Sequence, residues 1–183
     1  PMDSEMERRY SQRMRECARG LEKFALPDWE GLPQLELYMD QIIILLTEYL
    51  APVSRGQEER AITASIINNY VRMKIVPPPV KKKYSRVHIA FLVVICTLKR
   101  SLSISSIQRL LPEDRTEESV RAFYNGFVRQ YRDAVEALCA GLSSGRLVLE
   151  NTEVFGSAAA IFSVLAKDLT EYLLWGDEED IVD

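Results

Sequence analysis

Ser65, Asn68, Asn69 and Arg72 recur at helical spacing along a short segment whose other side carries Ile66, Ile67, Tyr70 and Val71. Amides and hydroxyls on an outward helix face are groups that read base edges: Asn pairs bidentately with adenine, and Ser contacts several bases. Cations follow closely, first Lys74, then Lys81, Lys82 and Lys83, then Arg86. Their chemistry is phosphate contact, which fixes register on a duplex without specifying sequence. These nine residues form the candidate DNA-binding set. Each also has a plainer use, since Asn68 and Asn69 can satisfy backbone groups near a helix end, and a lysine triplet can be a solvated loop.

The charge around them is segregated. From Arg60 to Pro112 the chain has no acidic residue but holds Arg60, Arg72, Lys74, Lys81, Lys82, Lys83, Arg86, Lys99, Arg100 and Arg109, although the whole chain carries 23 Lys and Arg against 27 Asp and Glu. Positive potential gathered in one stretch attracts polyanions whatever the net charge.

The elements that must position this set are read from periodicity and caps. Thr63 suits the N-cap of the helix over 64–71, and three prolines, Pro77 to Pro79, force an extended passage into Lys81–Ser85. Ser85 can cap a helix ending near Lys99, and Ser103 a further short one. Upstream, Pro33 suits the first turn of a helix running to about Tyr49 with Leu35, Met39, Ile42, Ile43, Leu46 and Leu50 inward. Before it, Phe24, Leu26, Trp29 and Leu32 in a proline-bearing linker are apolar enough to be tucked against the body. Met6 to Leu21 has helical spacing, as does Thr152 to Trp175. Thr116 opens the most regular helix, whose stripe runs through Val120, Phe123, Tyr124, Phe127, Val128, Tyr131, Ala134, Val135, Leu138 and Leu142. That stripe can supply dimer contact, line a pocket for a small-molecule effector, or simply be buried within the chain.

The segment from Ile62 to Leu111 resembles the DNA-binding head of MerR-type regulators. Asn68, Asn69 and Tyr70 match the family's recognition-helix pattern; Ile75, Val76 and Pro77 match the passage after it. Lys82, Lys83, Tyr84 and Ser85 match the wing and the cap beyond, and Leu102, Ser103 and Ile104 match a later turn. With LPQLELYMDQ upstream, the chain is still more similar to a group of uncharacterised bacterial proteins with a MerR-like helix-turn-helix. The resemblance implies a mainly α fold: a winged helix-turn-helix head with additional N- and C-terminal helices. It also implies a transcriptional regulator that binds duplex DNA as a homodimer, because one short recognition helix makes few contacts. Asn68 stands where MerR-type proteins commonly carry Arg.

The expected organisation is an N-terminal helix and linker over 1–33, the winged head over 34–112, a C-terminal region for dimerisation or an effector over 113–175, and an acidic tail over 176–183. Cys17, Cys96 and Cys139 are far apart and form no CxxC pair, so neither a disulfide framework nor a zinc site is expected. The start PMDSEMERRY has no apolar block, and no run approaches the ~20 apolar residues of a membrane span. A cytoplasmic protein without cofactor or metal is the expectation. His88 is the one histidine, and no nucleophile elbow, glycine-rich phosphate loop or HExxH motif accompanies it, so no enzyme is expected. The alternative function is a non-catalytic helical protein-interaction or adaptor module that retains the fold without binding DNA.

Overall fold

The computed structural model describes residues 25–50 and 62–143, with isolated helical positions at 12, 19, 163, 166 and 167. Helices expected over 6–21 and 152–175 and the acidic tail lie outside the described residues. Five α-helices are described: α1 Met39–Leu50, α2 Ala64–Arg72, α3 Arg86–Leu98, α4 Ile104–Leu110 and α5 Glu117–Ser143. A compact unit spans Phe24–Arg132; a second comprises Pro1–Lys23 and Asp133–Asp183.

The centre of that unit is α3. Every residue from His88 to Ile95 is buried, so this helix is apolar around its whole circumference and must be enclosed. Each Leu, Ile, Val or Phe taken out of water there contributes roughly 1.5–3 kcal/mol before chain entropy is counted. Helix α1 packs on α2 and α3, burying Ile42 and Leu46. The caps are local and match the residue types: Thr63 Oγ accepts from Ile66 N at 3.3 Å, and Ser103 Oγ from Ser106 N at 3.1 Å.

Residues 26–32 are as inward as their composition implied, with Leu26, Trp29 and Leu32 buried. The tie is made by α5. Tyr124 is buried edge-to-face against Trp29, with ring centroids 6.4 Å apart, and its hydroxyl donates to Pro27 O at 2.9 Å. Asn125 Oδ1 accepts from Trp29 N at 2.9 Å. Val120 and Val128 are buried and Phe127 and Tyr131 are half-buried against the same core. Over residues 120–131 the stripe is therefore largely covered within the chain, while Leu138 farther along α5 is 42 % exposed. This corrects the expectation of a homodimer held through it, and of an effector pocket along it: Trp29 and the linker already occupy the place.

The winged head is also corrected. Among the described residues there is no strand, only the isolated antiparallel bridges Leu37↔Tyr84 and Val80↔Lys83. The backbone explains why a two-stranded wing does not grow. Val80 and Lys83 exchange both hydrogen bonds, at 3.1 and 2.9 Å, but the residues preceding Val80 are Pro77 to Pro79, which have no N–H to continue a ladder. On the other side Tyr84 gives its two bonds to Leu37, at 2.8 and 2.9 Å, and α3 begins two residues later. The architecture is all-α among the described residues, with a tight turn where the wing was expected.

A smaller correction concerns α1, which starts at Met39 rather than near Pro33. Tyr38 N donates to Gln41 Oε1 at 2.9 Å, the half of a capping box in which the third helical residue reaches back. Residues 34–37 are consequently outside the helix, and Leu35 is 80 % exposed instead of facing inward.

Candidate functional site

Two residues, Lys81 and Lys82, form the tip of the loop between Val80 and Lys83, with φ of 50° and 63°. Positive φ at both central residues is the signature of a type I′ turn, normally taken by Asn or Gly because a Cβ crowds the backbone there. Lys74 is the other non-glycine residue with positive φ among the described residues, at 59°. It ends α2: Lys74 N donates to Val71 O and Ile75 N to Tyr70 O, both at 3.0 Å, which is a Schellman closure with Lys74 at the position that favours glycine. All three left-handed residues are thus lysines of the candidate set, and all three are exposed.

The turn is anchored from below by His88. Its Nδ1 accepts from Ser85 N at 3.0 Å and lies 2.8 Å from Ser85 Oγ, while Nε2 lies 3.2 Å from Pro78 O. The carbonyl can only accept, so Nε2 carries the proton and Nδ1 is the acceptor. Burial lowers the pKa of this ring below its ordinary value, against the opposing pull of Pro78 O and the Glu36 carboxylate. The Ser85–His88 pair has the spacing of a nucleophile and base, but the two residues are three apart at a helix start, and the ring's two nitrogens are used to cap α3 and hold the proline passage. Tyr84 packs edge-on to the ring with centroids 5.5 Å apart.

The remaining candidate residues separate. Ser65 and Asn68 are exposed on α2. Asn69 and Arg72 engage each other, Arg72 Nη2 donating to Asn69 Oδ1 at 2.6 Å. Lys83 Nζ stands 5.5 Å from the centre of the Tyr38 ring, within cation–π range. Arg86 turns inward: Nη2 donates to Leu32 O at 3.1 Å, Nη1 is 3.9 Å from Glu30, and the guanidinium lies 5.6 Å from the centre of the Trp29 ring. It ties α3 to the linker that Tyr124 holds from the other side. Another internal cation went unrecognised from sequence: Arg115 donates to Ile75 O at 3.0 Å and covers the Phe91 ring at 4.5 Å.

The model of a family described as Domain of unknown function (DUF1836) matches residues 27–127, more than half of the 183-residue chain. The chain belongs to that family. The DUF1836 match begins at Pro27, which accepts the Tyr124 hydroxyl, and ends at Phe127, one turn beyond Tyr124. The lock between linker and α5 therefore lies within the DUF1836 span. No curated protein and no solved structure matches the chain.

With this geometry, the expectation of sequence-specific duplex DNA binding is corrected. The sheet-borne wing that was to carry phosphate contacts is absent among the described residues, Arg86 is spent on Leu32 and Glu30, and Asn69 and Arg72 occupy each other. What the surface does offer is mixed. Beside the lysines stand Val80, 62 % exposed, and Tyr38, 51 % exposed, with Leu35 on the same segment as Tyr38. A helix start at Pro33 puts Leu35 inward; Gln41, three residues after Tyr38, is the signal of the later start that leaves it exposed. Among the described residues no group of three or more His, Cys, Asp or Glu side chains is placed to hold a metal ion, and no helix is long and apolar enough to cross a membrane.

Proposed function

We propose that this chain is a non-catalytic protein-interaction module that docks its partner on the face formed by the 80–83 turn and residues 35–38. One observation carries the reading. Val80 and Tyr38 leave large apolar side chains in water on backbone that is tied together: Val80 is bonded to Lys83, whose ammonium stands over the Tyr38 ring, and Leu37 is bonded to Tyr84. Single exposed apolar residues are ordinary, but two of them joined through one turn and bordered by charge have the composition of a docking site, with an apolar centre and a polar rim. The all-α frame of the described residues, with a tight turn at 80–83 in place of a wing, supports a reading as an interaction module. His88 and Ser85 act in it as structural parts that hold the turn against α3.

The test is a photo-crosslinking amino acid placed at Val80 in the full chain, in native cells, with exposed Gln108 of α4 as the control position. A discrete protein adduct from Val80, absent from Gln108 and lost on Tyr38→Asp, is the expected result. Equal labelling from both positions, or none from Val80, overturns the reading.

A further inference from the structure

We infer that the segment docked on this face is acidic and amphipathic, with Asp or Glu side chains interleaved among large apolar ones. The inference rests on the interaction reading above and names the chemistry of its partner. Six of the described cations between Arg60 and Pro112 fall into two kinds. Arg86 and Arg72 are committed to intramolecular acceptors, and Lys99 Nζ reaches Leu102 O at 3.4 Å. Lys74, Lys81 and Lys82 are exposed and form no ion pair among the described residues.

Lys81 and Lys82 stand at the tip of the same turn whose base presents Val80 and, through Lys83, Tyr38. A type I′ turn asks for Asn and Gly; lysine in both places gives up that ease and sets two ammonium groups on a short, closed loop. Glu36, within residues 35–38, is the acidic side chain of this face, and its carboxylate is close enough to act on His88 rather than on the lysines of the tip. A partner covering this face must satisfy the ammonium groups and the apolar side chains together. Carboxylates meet the first need, and apolar residues the second. A phosphate backbone meets only the first, because it brings nothing to cover Val80 and Tyr38, whereas an acidic-hydrophobic peptide brings both.

The experiment pans short random peptides against the immobilised full chain and measures the best binder by fluorescence polarisation. Enrichment of Asp and Glu interleaved with Leu, Phe or Trp is expected. Affinity should fall by about tenfold or more with Lys81→Glu plus Lys82→Glu, and partly return when the acids of the peptide are exchanged for lysine. The double variant keeps the turn's backbone demand, so its circular dichroism should match the parent's. Apolar peptides without acids, or an affinity that the double variant leaves unchanged, would refute the acidic partner while leaving the interaction module standing. No enrichment on the parent chain, or none sensitive to Val80→Asp, defeats both. Competition by poly-glutamate or a random duplex, at equal charge concentration and as effective as the peptide itself, reduces the effect to general polyanion attraction and also overturns the inference.

Discussion

Replacing Lys82 by Gly should stabilise the protein while weakening its partner interaction. Lys82 has a φ of 63° in a turn whose ends are fixed by the Val80–Lys83 pair, and a Cβ in the left-handed region costs roughly 1–2 kcal/mol. Glycine removes that cost but enlarges the conformational freedom of the unfolded chain, returning roughly 0.5–1 kcal/mol. The net gain is therefore about 0.5–1 kcal/mol, equivalent to a rise of about 2–6 °C in the melting midpoint of a unit this size. Lys82→Ala separates strain from charge, since it removes the ammonium group and keeps the Cβ; it should stay within about 0.5 kcal/mol of the parent. Urea denaturation followed by circular dichroism reads all three proteins. If glycine is no more stable than alanine, the left-handed backbone is not strained and the argument from the turn fails. If glycine is more stable and binds the acidic peptide as well as the parent, the strain is real but unconnected with docking. The expected combination, firmer folding with weaker binding, is the pattern of a surface that keeps a functional residue in an unfavourable conformation.

Four further outcomes follow from the same geometry. Tyr124→Phe removes the donor to Pro27 O and should cost about 1–2 kcal/mol in urea denaturation; an unchanged midpoint would mean that the linker is held by packing alone. Arg86→Ala should cost about 2–3 kcal/mol by orphaning Leu32 O and stripping cover from Trp29, yet leave peptide affinity within about twofold, and a selective loss of binding would return Arg86 to the interface. His88 has a pKa below 6.5 in the folded chain, so as pH drops below about 6.5 the unfolded state takes up the proton first and stability declines, whereas above that range this group contributes no slope; urea midpoints across pH should show the decline, and His88→Asn should reduce it. Burial pushes the Cys96 thiol up to about 12, so peptide mapping after iodoacetamide treatment at mildly alkaline pH should find Cys96 unmodified in the native protein and alkylated in urea.

The features legible in the sequence were those decided within a few residues. Thr63 and Ser103 cap their helices because a hydroxyl three residues before an N–H finds it locally, and Leu26, Trp29 and Leu32 could be assigned to the interior because no solvated loop needs such a set. The late start of α1 was written in Gln41, but a proline at Pro33 offered a competing start, and local chemistry chose the residue whose side chain reaches back. The missing wing was half legible: Pro77 to Pro79 announce a turn, and the same residues lack the donors a ladder requires. The lock of Tyr124 on Pro27 joins residues 97 apart, and no spacing rule reaches that far. A bulky aromatic stripe carries the same pattern whether it is covered by another copy of the chain or by its own linker.

Charge shows the same division between local and long-range information. A run of cations free of acids establishes that positive side chains are concentrated, but not which of them remain available. Arg86 is drawn inward because Leu32 presents an unpaired carbonyl 54 residues away, and Arg115 because Ile75 does so 40 residues away. Both are planar, multi-donor groups suited to covering an aromatic ring while bonding a carbonyl, and each does so, over Trp29 and Phe91 respectively. Lysine, a strongly hydrated point charge, is poorly suited to that task and remains at the surface in the turn. The two arginines that cover rings and the lysines left at the turn follow from the chemistry of the two cations. The lysines at positions 74, 81 and 82 thus define the available positive surface more sharply than the whole basic block does.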